Sequence, residues 1–202
     1  MFPISLSLKR IAFAVLLFET VFCQGQSLSD VQRLHYNDFN WSVAIPKGFE
    51  KLPDTLLTKL QNKGAAVIEH SYGKKVDNQA KTIFVFQSGQ YNSFESNYQP
   101  FDPSRDGDYM ETFKMVKGIV YGSLKANLPK ARFDSSYSRE VIGGKEFKVF
   151  NLVAYINPQM TVHVRMYGRL FGKKEFSVNI MYMDPAKGKA LLEAWRGSSF
   201  GN

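Results

Sequence analysis

The sequence predicts an α+β fold, an antiparallel β-sheet of about six to seven strands sandwiched by helices. Three observations carry that expectation. Four extended segments follow one another between residues 132 and 183, joined by short glycine-containing turns, and strands connected so tightly must run antiparallel. The segment Asp108–Leu128 repeats apolar residues at helical spacing. A second helix signal follows Asp184-Pro185, where Asp can cap and Pro can fill the first turn.

Taken in chain order, Phe39–Ile45 alternates, with Phe39, Trp41, Val43 and Ile45 on one face, and Pro46 and Gly48 stop it as a half-buried strand. Asp54–Lys63 reads as a short helix with Leu56, Leu57 and Leu60 inward and Gly64 as its stop. Ala65–Tyr72 and Lys81–Gln87 read as strands joined by a polar turn. Ser88–Pro100 reads as a long connection, or as a short helix that turns its aromatics inward. In the long helix Tyr109, Phe113, Val116, Val120 and Leu124 share one face, Asp108 stands where a cap is needed, and Glu111 follows three residues on. Arg132–Val141 and Glu146–Ile156 flank Gly143-Gly144, whose freedom at positive φ suits a tight hairpin. Met160–Leu170 and Glu175–Met183 form a second hairpin over Gly172, and Leu191, Leu192 and Trp195 give the last helix its apolar face.

The N-terminal segment has a different character. Lys9 and Arg10 precede Ile11–Phe22, an apolar run broken only by Glu19 and Thr20 and shorter than the roughly 20 residues a membrane span requires. That layout is a secretion signal. The expected organisation is a signal peptide over 1–25, a lead-in over 26–38 and one α+β domain over 39–202. Cys23 follows Phe22 and Thr20, where a lipoprotein signal wants a small residue and a leucine, so no lipid anchor is expected there. Cys23 is the chain's one cysteine, so the mature chain can form no disulfide, thiol nucleophile or cysteine-ligated metal site, and it carries no apolar run long enough to span a membrane.

The formal net charge of +8 could signal an anionic partner. The lysines are instead scattered as pairs, such as Lys74-Lys75 and Lys173-Lys174, without a dense basic stripe or a recognised module, so nucleic acid is not the expected partner.

Three stretches resemble a known fold together: Phe39-Asn40-Trp41-Ser42-Val43-Ala44-Ile45-Pro46-Lys47-Gly48-Phe49; the hairpin pieces Glu140–Phe147 and Tyr167-Gly168-Arg169-Leu170-Phe171; and the closing helix with Ser198-Ser199-Phe200. This layout resembles the PsbP-like fold of photosystem extrinsic proteins and of bacterial envelope proteins related to them. The resemblance implies an antiparallel sheet between helices over roughly residues 36–200. It also implies a non-enzymatic role of binding or assembling other components. No cofactor is expected, and the expected partner is an envelope or secreted protein.

The candidate sites are few. Asp102, Ser104, Asp106 and Asp108, with Gly107, resemble the opening of a calcium loop. Position 12 is then Phe113 rather than Glu, Glu111 comes two residues early and Pro103 sits inside, so capping of the long helix suits these residues better. Tyr91, Phe94, Tyr98 and Phe101, set among Asn, Ser and Gln, have the chemistry of an adaptable binding surface, although buried aromatics of a short helix would show the same spacing. His35, His70 and His163 show no ligand spacing. His163 shares a strand face with Thr161, Arg165 and Tyr167, and the neighbouring strand offers Glu175, Ser177 and Asn179. These define a polar surface, with His163 and Glu175 as an acid–base pair if the chain were a small hydrolase; a solvated sheet face accounts for the same pattern. The alternative to a binding module is a ligand carrier or hydrolase that uses this face or the loop at 88–107.

Overall fold

Alternation shapes the sheet, and the computed structural model, which describes residues 32–53, 55–57 and 79–201, follows it strand by strand. The segment expected as a signal peptide with Cys23, most of the helix expected at Asp54–Lys63, the strand expected at Ala65–Tyr72 and His70 all lie outside the described residues.

Among the described residues ten strands form two sheets. β1 (Arg33–Tyr36), β2 (Trp41–Ala44) and β10 (Ser199–Phe200) make a small one in the order β1-β2-β10. β3 (Glu50–Lys51), β4 (Lys81–Gln87), β5 (Ser93–Pro100), β6 (Arg132–Ile142), β7 (Lys145–Asn157), β8 (Met160–Phe171) and β9 (Lys174–Tyr182) make a seven-stranded sheet ordered β3-β4-β5-β9-β8-β7-β6, every neighbouring pair antiparallel. The longer helices among the described residues are α1 (Pro103–Asp106), α2 (Tyr109–Asn127) and α3 (Pro185–Arg196); Asn37–Phe39 forms a single 3-10 turn, and residues 55–57, at the start of the helix expected over Asp54–Lys63, are helical.

The two hairpins turn where the glycines allow. Gly143 holds φ +53, and a Cβ there would meet Ser198 O and the Phe200 ring at 2.9 Å, so the β6–β7 turn doubles as the seat of β10. Both long helices start on aspartate. Asp108 Oδ1 accepts from the Met110 and Glu111 amides at 2.8 and 3.0 Å, and Asp184 Oδ1 accepts from those of Ala186 and Lys187 at 2.8 and 3.2 Å.

Each face of the large sheet has its own cover. On the first face Phe147, Val149, Tyr167, Phe176, Val178, Ile180, Phe94 and Phe86 are buried beneath α3 and the small sheet, which contribute Leu191, Trp195, Trp41, Val43 and Phe200. Phe86 and Phe94 stack at 4.4 Å, and Trp195 meets Phe147 edge-on at 5.1 Å. On the second face Phe150, Leu152, Val164, Met166 and Met181 pack against Phe113, Val120 and Leu124 of α2.

Two expectations change here. Ser93–Pro100 is a central strand and neither a loop nor a helix: Phe94, Ser96 and Tyr98 oppose Ile180, Val178 and Phe176 of β9. Strand alternation is masked in this segment because its other face, Glu95, Asn97 and Gln99, is polar yet inward-facing. Ordered structure also begins before Phe39: β1 lies within the stretch read as a lead-in.

Candidate functional site

β7 and β8 run 13 and 12 residues, longer than α3 can cover. Their first face therefore divides. At one end it lies under Trp195. At the other, Asn151, Val153 and Tyr155 of β7 stand between Ser136, Asp134 and Arg132 of β6 and Arg165, His163 and Thr161 of β8. These side chains are half-buried or exposed, and they form a polar sheet surface with no helix over it among the described residues.

The boundary between the halves is a charged lock. Glu140 accepts from Tyr167 Oη at 3.0 Å and from Arg196 Nε at 2.6 Å, tying β6, β8 and α3 together. Burial, with Glu140 beside it, pushes the Tyr167 hydroxyl up to about 12. Beyond the lock the His163 ring lies parallel to Tyr182 at 4.7 Å, and its pKa is lowered, chiefly by burial and then by Arg165. Asn151 reaches Ser138 Oγ at 3.3 Å, and the Arg132 guanidinium sits 3.9 Å over the Tyr155 ring.

His163 and Glu175 do not meet. His163 pairs with Tyr182 while Leu170 pairs with Glu175, so they are seven strand positions apart, roughly 23 Å, and on opposite faces. A two-residue turn pairs odd-numbered residues of β8 with even-numbered residues of β9, which places Glu175, Ser177 and Asn179 on the second face.

There they meet a group that sequence reasoning missed. Glu95, Asn97 and Gln99 of β5 lie opposite Asn179, Ser177 and Glu175, and Lys117 of α2 is buried on the same side. Gln99 donates to Glu175 Oε2 at 2.7 Å. Burial pushes the Glu95 carboxyl up to about 8 and the Lys117 ammonium down to about 8, the latter opposed by the charge of Glu175. Lys117 Nζ also lies 4.8 Å from the centre of the Phe113 ring. The Asn97 and Asn179 amide nitrogens are buried without a hydrogen-bond partner among the described residues. The signal was the pair of runs Glu95-x-Asn97-x-Gln99 and Glu175-x-Ser177-x-Asn179, polar at strand spacing in segments whose other faces are apolar.

Further along this face an apolar cavity of about 170 Å³ opens between α2 and the sheet. Leu124, Leu152, Ala154, Val164 and Met181 form its buried floor, and Tyr91, Leu128, Met160 and Met183 are among the half-buried residues around it.

The remaining sequence candidates are dispersed. Phe94 lies in the first-face core, Tyr98 is half-buried against Phe39 at 5.5 Å, Phe101 is buried against Tyr109 at 5.6 Å, and Tyr91 lines the cavity. The aspartates of the calcium-like motif act locally. Asp102 Oδ1 accepts from the Ser104 amide and hydroxyl at 3.0 and 2.7 Å, Asp106 Oδ2 accepts from the Asp102 amide at 2.7 Å, and Asp108 caps α2. Ser104 holds the Asp102 carboxyl below its usual range. Among the described residues no group of three or more His, Cys, Asp or Glu is placed to hold a metal ion.

No protein-family model matches the chain, and no curated protein does. Solved structures do. The solution structure of cyanobacterial PsbP (CyanoP) from Synechocystis sp. PCC 6803 superposes with a TM-score of 0.51 at 7% identity, covering 90% of this chain and 98% of that one. The Saccharomyces cerevisiae Ran-binding protein Mog1p gives 0.45 at 9% identity over 85% and 95% of the two chains. LpqN, involved in cell envelope biogenesis of Mycobacterium tuberculosis, gives 0.46 at 11% identity over 86% and 93%. At 7% identity the likeness to CyanoP concerns the backbone alone, and with the antiparallel sheet between helices it gives the chain the PsbP-like α+β fold.

Proposed function

We propose that the chain is an exported, non-catalytic binding module that engages an envelope or secreted protein through the uncovered polar half of its sheet. The observation that carries this reading is the division of β7 and β8. Under α3 their first face is aromatic and sealed; beyond Glu140 the same strands carry Asn151, Tyr155, His163 and Arg165, half-buried and with no described helix over them. Sheet-borne side chains need little ordering on binding, which favours recognition. The stacked His163 has no carboxylate partner in Glu175, which supports recognition over proton transfer. The signal-like segment before residue 26 supports export, and no described helix is long and apolar enough to cross a membrane. The test is affinity capture from envelope extract with wild type and a His163→Glu/Arg165→Glu variant of unchanged melting temperature. A protein captured by the wild type and lost from the variant supports the reading. Equal capture by both places the contact elsewhere.

The cavity favours a second reading, a carrier of small apolar ligands. Its volume compares with the engineered apolar cavity of roughly 150 Å³ that takes up benzene. Thermal shift with benzene-sized probes on wild type and on Ala154→Phe, which fills the floor, separates specific uptake from surface adsorption.

A further inference from the structure

We infer that two copies of this chain pair edge to edge through β6, antiparallel, about a two-fold axis at Ser136. The two edges of the large sheet differ sharply. β3 is two residues long and is followed by Leu52 and Pro53, a blunted edge. β6 is 11 residues long, has no proline, and pairs with β7 from Arg132↔Tyr155 to Ile142↔Lys145 without a bulge. Among the described residues no strand lies on its outer side. Large hydrophobics exposed among the described residues are Met115, Tyr137 and Val141, and the last two, 47% and 67% exposed, are both on β6.

The charges on β6 choose the occupant. In a two-fold pairing each residue must oppose one from the same face, so the axis falls on a residue. With the axis at Ser136, Arg132 opposes Glu140 of the second copy, Asp134 opposes Ser138, Phe133 opposes Arg139 and Ser135 opposes Tyr137. No like charges meet. One step further, at Tyr137, Asp134 would oppose Glu140, two carboxylates face to face. One step back, at Ser135, the overlap within β6 shrinks. Nine-residue overlaps free of like-charge opposition arise at Ser136 and at Ser138, and of the two only Ser136 sets opposite charges, Arg132 and Glu140, against each other.

The backbone agrees with this register. The two-residue turn at Gly143-Gly144 makes Ile142 and Lys145 a hydrogen-bonded pair, so even-numbered residues of β6 turn their amides and carbonyls to β7. Phe133, Ser135, Tyr137 and Arg139 turn theirs outward, and the proposed register sets these against one another. Ser136 would face its own copy in the closer, non-hydrogen-bonded type of pair. The dimer would also place the two uncovered polar faces side by side, a two-fold platform built on β6–β8 of each copy.

Since Cys23 is the chain's one cysteine, a Cys23→Ser background makes a register test direct. Under mild oxidation Ser136→Cys is expected to cross-link to its own copy several-fold more than Ser138→Cys, whose copies would lie roughly 13 Å apart along the strands. Light scattering of the wild type is expected to give twice the chain mass. Ser135→Lys/Tyr137→Lys, which sets lysines against one another, is expected to return a folded monomer with the wild-type far-ultraviolet circular dichroism spectrum, at a lower melting temperature because Tyr137 leaves the Phe150 ring. A wild type that stays monomeric overturns the proposal, as does equal cross-linking at 136 and 138, or a dimer that persists in the lysine variant. The binding reading is independent of these results, because a monomer can still lose its captured partner on changes at His163 and Arg165.

Discussion

The two halves of the first face are made by the same strands and carry different side chains. Toward the Gly143-Gly144 turn, β7 and β8 contribute Phe147, Val149 and Tyr167, which disappear beneath Trp195, Trp41 and Phe200. Toward Asn157 they contribute Asn151, Tyr155, Thr161, His163 and Arg165, which face outward. Stability is concentrated where α3 sits. Where the strands outrun it, side chains are held on a rigid sheet without being needed to hold it, which is the arrangement expected of a recognition surface.

The contrast can be broken most severely at Trp195, which is fully buried and in ring contact with Trp41, Phe147, Tyr167 and Phe176. Trp195→Ala should destabilise the protein by about 3–5 kcal/mol in urea unfolding. Gly188 tests the border. A Cβ there would collide with the Tyr182 ring, the ring that stacks on His163. Gly188→Ala should cost about 1–3 kcal/mol and shift the His163 ring resonances.

The second face should carry the largest response to pH. Glu95 is raised from 4.5 to about 8, so the stability conferred by its neutral form is fully present below 4.5 and is lost as pH rises through 8. Lys117 is lowered from 10.5 to about 8, so its contribution is present above 10.5 and is lost as pH falls through 8. Together they place a minimum of stability near pH 8. Glu95→Gln should flatten the acid limb of that profile in chemical denaturation run across pH. The smallest effect belongs to the uncovered half: Arg165→Ala should change stability by no more than about 0.5 kcal/mol.

Much of the fold was legible because period and turn chemistry agreed. β7 to β9, α2 and α3 each carried an apolar period bounded by glycine, proline or a capping aspartate, and β6 was legible from the Gly143-Gly144 turn that joins it to β7. β5 was not legible, because its inward second face is polar: Glu95, Asn97 and Gln99 look like a loop until β9 supplies Glu175, Ser177 and Asn179 as their neighbours. Lys117 was hidden for the same reason, a charge on the buried side of an otherwise ordinary helix. The polar surface at His163 and Arg165 was visible as a strand face, whereas its true neighbours, Asn151 and Ser136, depended on sheet order, which no local pattern encodes. The assignment of Glu175 to His163 failed on parity alone, and the two-residue turn between β8 and β9 contained that information.

The measurement that tests the division most directly is site-specific photo-cross-linking in the native envelope, with a photoreactive side chain at Tyr155 in the uncovered half or at Lys189 on the exposed side of α3. A discrete adduct from position 155 that is absent from position 189 is the predicted result. Adducts of equal yield from both, or none from 155, would contradict the claim that the uncovered half of the sheet is where this molecule meets its partner.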